Sequence, residues 1–211
     1  MSNLITEKKM LTEEKINANY LAFVKRLEKY GCYSEEMETE IGQILKTASF
    51  TMSEQTGGCY CGSLVDVVLN HLCRIGYEIN ETNKVSHPYL YVNPEMLMRV
   101  LLLQHISKCV MFIPQEQAWK RKNGYLYDFN NELPTRMKVG ERSIYLCQKY
   151  GIKLSEEEYE AIGCIDRDDE KNDVYKSPLS VIAKVANELM IVEIRQPVYH
   201  EMLNNKQKIE K

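Results

Sequence analysis

Long hydrophobic runs are missing from this sequence of 211 residues. No aliphatic stretch exceeds the four from Val100 to Leu103, against the ~18 that a membrane-spanning helix needs, so no membrane association is expected. A basic surplus is missing too. Lys plus Arg number 27 against 30 for Asp plus Glu, a net charge of −3. Nucleic-acid binders ordinarily carry an excess of positive charge, so nucleic acid is not an expected partner. The opening residues, Met1 to Lys9, contain no apolar core of the kind a secretory signal has. The cysteines number seven, an odd count in a chain large enough to bury its own core, which argues against a disulfide framework. The expectation is a reducing, cytoplasmic location, with the thiols serving as small buried apolar groups.

What is present is an ordinary globular balance, 44% hydrophobic and 27% charged, which excludes a disordered or collagen-like chain. Helix signals dominate. Thr12-Glu13-Glu14 opens a segment whose Ile16, Tyr20, Phe23, Val24, Leu27 and Tyr30 share one face before Gly31 ends it. Ser34-Glu35-Glu36 opens a second helix with Met37, Ile41, Ile44, Leu45 and Ala48. Ser63 with Asp66 has capping-box spacing and leads a helix apolar on nearly every side, which Gly76 is expected to close. Asn93-Pro94 starts a fourth helix, since Pro suits the first helical position. A fifth runs from Glu141 to Tyr150, a sixth opens at the Ser155/Glu158 capping box, and a long seventh follows Ser177-Pro178.

One segment departs from this pattern. Trp119 to Lys122 and Tyr125 to Phe129 flank Asn123-Gly124, the pair that suits a two-residue hairpin turn. The expected fold class is therefore all-α, about seven helices, with one β-hairpin inserted between the fourth and fifth. The hairpin's basic and aromatic side chains suit either a phosphate or base platform or an edge ribbon guarded by charge. No repeat, low-complexity tract or linker marks a domain boundary.

In this order the elements resemble the HD-domain family of all-α, metal-dependent phosphohydrolases. Tyr60-Cys61-Gly62-Ser63-Leu64 is similar to the family's Tyr-x-Gly-Gly-Leu loop. The stretch Leu102-Leu103-Gln104-His105-Ile106-Ser107-Lys108 is similar to its Leu-Leu-His-Asp-x-x-Lys segment. Gly140-Glu141-Arg142-Ser143 matches its Gly-Glu-Lys-Ser, and Pro178-Leu179 its last ligand helix. The likeness runs from Ala48 to Ile194. It divides the chain into an N-terminal helical flanking segment (1–47), an HD-like domain (48–194) and a C-terminal tail (195–211).

The family's chemistry needs a His/Asp cage around a divalent cation, which acidifies a bound water and neutralises phosphoryl oxygens. Carried over position by position, the resemblance places Val67, Gln104, His105, Val139 and Asn187 where the ligands stand. A further ligand falls at Ile165, or at Asp166 with one residue of slippage, and Lys184 falls where a His is sometimes found. Val and Ile offer no lone pair, amide oxygens are weak ligands, and protein metal sites rest on three or four donors. The resemblance thus implies the fold and argues against the activity. It suggests a metal-free, non-catalytic ligand-binding, scaffolding or regulatory module without a cofactor.

The candidate cavity is lined by Gln104, His105, Lys108, Arg142, Lys184 and Asn187, with a phosphorylated small molecule or a protein as the expected partner. In it Lys108 and Lys184 would replace the cation with fixed positive charge. Alternatively, Lys184 turns outward to Glu188 four residues on. The competing expectation is a metal-dependent phosphohydrolase of a nucleotide or phosphoester, with shifted ligands His105, Asp66, Asp166 and Asp168. A third is a purely structural role with the cavity filled by Val67, Val139 and Ile165.

Other constellations are weaker. Cys59, Cys61, His71 and Cys73 invite a zinc reading, but residues 71 and 73 lie about 200° apart on a helix, and buried thiols are expected. His105 and Cys109 share a helix face without a nameable orienting Asn or Asp. The acidic run Asp166, Asp168, Asp169, Glu170, Asp173 lacks the Gly and Glu that an EF-hand requires, having Lys171 and Ser177 there.

Overall fold

Thr12 Oγ1 accepts from the Lys15 amide at 3.3 Å and so satisfies one of the free N–H groups at the start of α1 (Glu13–Lys29). Ser34 does the same for α2 (Glu35–Thr47), accepting from the Met37 amide at 3.2 Å. In the computed structural model, residues 10–134, 136–166 and 176–209 are described, the side chains through residue 201. Tyr20, Phe23 and Leu27 of α1 and Met37, Ile41 and Leu45 of α2 are buried. They belong to the same hydrophobic cluster as Leu72, Leu101, Ile162 and Met190. The N-terminal helices therefore share one core with the rest of the chain.

The centre is a long helix in three parts: α3 (Ser63–Val67), a π-helical turn (Val68–Leu72) and α4 (Cys73–Ser86). Two expectations are corrected here. Gly62, at φ +77°, is the N-cap, and no side chain caps the helix. Ser63 Oγ instead accepts from the Phe50 amide at 2.9 Å and donates to the Gly58 carbonyl at 2.7 Å, tying the preceding loop to the helix. Gly76 does not end the helix, which runs ten residues further to Ser86. A Cβ at Gly76 would lie 2.5 Å from Leu101 Cδ1, so this glycine permits close packing of α4 on α5 (Pro94–Leu103).

Asn93 Oδ1 caps α5 by accepting from the Glu95 amide at 2.8 Å, with Pro94 at the first position. Leu97, Val100, Leu101, Leu102 and Leu103 are all buried. The turn 104–107 leads to the short α6 (Lys108–Met111). The β-hairpin follows but is placed differently from expectation. Strands β1 (Phe112–Pro114) and β2 (Tyr127–Phe129) pair antiparallel, Phe112 opposite Phe129 and Pro114 opposite Tyr127. Trp119 to Lys122 are helical, within α7 (Ala118–Lys122). Asn123-Gly124 is the stop of that helix: the Asn123 side chain bonds the Trp119 carbonyl at 3.0 Å and Gly124 takes φ +82°.

Helix α8 (Val139–Lys149) is followed by α9 (Glu156–Cys164), opened by the Ser155/Glu158 capping box. Glu158, buried, also accepts from Arg99 Nε at 2.5 Å and so fastens α9 to α5. The last helix, α10 (Pro178–Ile209), packs on α9 and α4. The tail from residue 195 continues this helix to Ile209. Among the described residues, the seven expected helices are present with two short ones added, and no helix is long and apolar enough to cross a membrane.

Candidate functional site

The turn between α5 and α6 delivers His105 to the inner face of α10. His105 Nε2 lies 2.7 Å from Asn187 Oδ1, and both residues are buried. An amide oxygen only accepts, so Nε2 carries the proton and Nδ1 holds the lone pair of a neutral imidazole. Burial holds the His105 pKa well below the usual imidazole range, the nearby Lys108 ammonium lowers it further, and the Asn187 contact opposes both.

The edge of the imidazole meets the Phe50 ring, centroids 5.0 Å apart at 74°. On the same ring lies Lys108, its Nζ 3.4 Å from the centroid. This ammonium also donates to the Phe50 carbonyl at 3.1 Å. Burial pushes the Lys108 pKa down to about 7, against the attraction of Asp166. Phe50 thus unites the two ionisable groups of the site. It carries no chemical signal in the sequence; the loop bond from its amide to Ser63 and its burial in the core hold it here.

Serines knit α8 to the same turn. Ser107 Oγ donates to the Val139 carbonyl at 2.8 Å, the Ser107 amide donates to Ser143 Oγ at 3.2 Å, and Ser143 Oγ donates to the Gln104 carbonyl at 3.1 Å. The Gln104 side chain is fully buried, and neither of its amide atoms has a hydrogen-bond partner among the described residues. Arg142 is also buried. Its Nη2 donates to the Pro134 carbonyl, while Nε has no partner among the described residues. Lys184 is partly buried on α10, one turn before Asn187. Of the six candidate residues, the structure therefore joins His105 directly to Asn187 and, through Phe50, to Lys108. Gln104 is linked by its backbone to the serine beside Arg142, whose side chain is engaged by the 134 carbonyl.

Comparison with family models, with curated proteins and with solved structures finds no match. The chemistry of the site is therefore read from its own side chains.

A metal does not fit them. Val67 is fully buried, Val139 and Ile165 are partly buried, and hydrocarbon side chains provide no donor. Among the described residues no group of three or more His, Cys, Asp or Glu could hold a metal ion. Of the shifted-ligand set, Asp66 and Asp166 have other partners. Asp66 accepts from Asn19 at 2.9 Å, Tyr60 at 2.6 Å and Asn70 at 2.7 Å, which makes it the anchor between α1, the loop and α3. Asp166 accepts from the Gly140 amide at 2.6 Å. Asp168, like Asp169, Glu170 and Asp173 of the acidic run, lies outside the described residues.

The remaining constellations resolve similarly. All seven cysteines are free and only Cys61 is exposed. Burial pushes the Cys109 thiol up to about 12, which leaves it a poor nucleophile. His71 Nδ1 faces Glu193 at 3.4 Å. Lys120 of the basic segment pairs with Asp128 at 2.8 Å, and the hydrogen bonds to Asp128, first that of Lys120, hold the carboxyl down at about 2. Two surface clefts, of about 310 and 390 Å³, are lined by residues other than the six candidates.

Proposed function

We propose that this chain is a metal-free, non-catalytic protein of HD-like helical arrangement, working as a scaffolding or regulatory module. The observation that carries this reading is the buried His105–Asn187 bond of 2.7 Å. It unites two positions 82 residues apart that the resemblance assigns to ligands of one ion, and it commits the Asn187 oxygen to the imidazole N–H, which leaves His105 Nδ1 as a single nitrogen donor where three or four ligands are needed. The neutral imidazole and the depressed Lys108 amine meet on the Phe50 ring as a buried polar core, and Val67, fully buried, offers no donor.

The test is metal content and turnover of the purified protein. The expected result is no stoichiometric metal, and no hydrolysis of a generic phosphodiester or nucleotide with added Mn²⁺. Stoichiometric Mn, Fe, Ni or Zn that disappears in His105→Gln would overturn the reading.

One observation favours a second reading, in which a small phosphorylated ligand enters the same region. Gln104 Nε2 and Oε1, His105 Nδ1 and Arg142 Nε are buried without partners among the described residues, and buried polar groups are ordinarily satisfied. A thermal-shift screen with phosphosugars and nucleotides tests it: stabilisation lost in Lys108→Met supports it, and no stabilisation by any of them removes it.

A further inference from the structure

The larger surface cleft, about 390 Å³, combines charge, aromatic walls and an apolar floor. Arg26 and Lys29 of α1 stand at its rim, Tyr30 and Tyr77 at its sides, and Leu69 and Met98 beneath. Arg74 also lines it, but its guanidinium is committed. It donates to both Glu193 oxygens at 2.7 and 2.8 Å and to Glu78 at 3.2 Å. Arg26 and Lys29 are exposed and form no ion pair among the described residues; Arg26 reaches the Cys73 thiol and Lys29 Nζ lies 5.0 Å from the Tyr30 ring centroid, neutral partners that leave both positive charges at the rim. Tyr77 is 51% exposed, which leaves its ring accessible for stacking.

The floor has an origin in the backbone. Leu69 lies in the π-helical turn Val68–Leu72, and Cys73 follows it. Such turns insert a residue into a helix, cost hydrogen-bond quality, and recur at functional sites. Leu69 of this turn lines the same cleft as the two cations of α1.

We propose that the cleft binds a planar aromatic molecule bearing phosphate, of the class of a nucleoside monophosphate, its phosphate between Arg26 and Lys29 and its ring against Tyr77. Arg provides paired donors to phosphate oxygens, and a tyrosine face accepts any base. The volume falls in the range of small-molecule sites, roughly 300–1,000 Å³. It accommodates one nucleotide unit, and the net charge of −3 supplies no basic track along which a polynucleotide would continue. The proposal concerns a different set of residues from the polar core and stands independently of it.

The experiment is a thermal-shift and calorimetric titration of the full chain with AMP and UMP, with adenosine and with inorganic phosphate. The expected result is saturable stabilisation by the monophosphates, weaker effects of adenosine or phosphate alone, and binding weakened at least about tenfold in R26Q/K29Q. Both substitutions are at exposed positions, and the variant should melt near the parent. Tyr77→Ala should weaken the monophosphates but not inorganic phosphate, while Lys108→Met should bind as the parent does. The proposal is overturned by the absence of any saturable shift, by a shift that survives R26Q/K29Q, or by one that Lys108→Met abolishes. The last would transfer the ligand to the polar core. None of these outcomes alters metal content, by which the reading of the chain as metal-free is judged separately.

Discussion

The Lys108 ammonium lies 3.4 Å from the centroid of the Phe50 ring and donates to the carbonyl of that same residue. Two weak partners hold a cation that water would solvate better, and the amine's pKa falls from 10.5 to about 7. Between those values the unfolded chain binds more protons at this site than the folded one. Stability therefore rises as pH increases through 7 toward 10.5, by at most about 1.4 kcal/mol per pH unit from this group. Above pH 9 the buried thiols, raised by the same burial, oppose the trend, so the clean window is pH 7 to 8.5. Chemical denaturation across that window should give a rising stability in the parent and a flatter line in Lys108→Met.

His105 extends the dependence on the acid side. Its folded pKa is depressed, so its neutral form favours folding above about 6.5, and this contribution is lost as pH falls below that value. Removing its acceptor should be costly in a specific way. Asn187→Leu leaves a buried N–H without a partner, about 1–3 kcal/mol. His105→Leu strands the Asn187 amide oxygen in the same fashion. The double variant should cost clearly less than the two single losses added, because neither polar group is then left unpaired. Additive losses in urea denaturation would show that the 2.7 Å contact contributes no coupling.

Local signals are legible where the chemistry is local. Ser155 and Glu158 satisfy each other's backbone within one turn, and Asn93-Pro94 needs nothing beyond its neighbours, so both helix starts are legible. Glycine is less so, because one residue type serves opposite purposes. Gly124 stops a helix and Gly76 sits inside one, and only the helix packed against Gly76 distinguishes them. Likewise Asn123-Gly124 suits a hairpin turn and a helix end equally. The strand that pairs with Tyr127–Phe129 is Phe112–Pro114, too short to show an alternating pattern. At the site, the resemblance points to His105 and Asn187 but not to Phe50. Its importance comes from a loop fastened by Ser63, a contact that no periodicity reports.

Two of the helical glycines, Gly76 and Gly140, make a graded test of packing. At Gly76 an added Cβ meets a Leu101 methyl at 2.5 Å, the movable end of a fully buried side chain. At Gly140 it meets the Ile162 carbonyl oxygen at 2.3 Å, which is backbone of α9. Alanine brings a helix-propensity gain of up to about 1 kcal/mol, against overpacking of about 1–3 kcal/mol where neighbours yield. Gly76→Ala should therefore destabilise modestly, and adding Leu101→Val should recover part of the loss. Gly140→Ala should lower the Tm more, since α8 and α9 must separate. Equal shifts in the two variants would contradict the distinction between a side chain and a backbone neighbour.

Asp66 separates a catalytic from a structural use of the same carboxylate. Its two oxygens accept from the side chains of Asn19, Tyr60 and Asn70, and both Asp66 and Asn19 are buried. Hydrogen bonds to a charged group contribute about 1.5–3 kcal/mol each when a partner is left stranded, and such losses within one network do not add. Asp66→Ala should therefore cost several kcal/mol and release α1 from α3, visible as faster amide exchange in residues 13–29 before global unfolding. Asp66→Asn keeps an acceptor oxygen but presents an N–H₂ toward donors, so it should fall between the parent and alanine. If Asp66 were a metal ligand instead, Asp66→Ala would leave the exchange of α1 unchanged, and Mn²⁺ would stabilise the parent but not the variant. The three-donor geometry predicts the reverse on both counts: accelerated exchange in α1, and a thermal midpoint indifferent to Mn²⁺ in either protein.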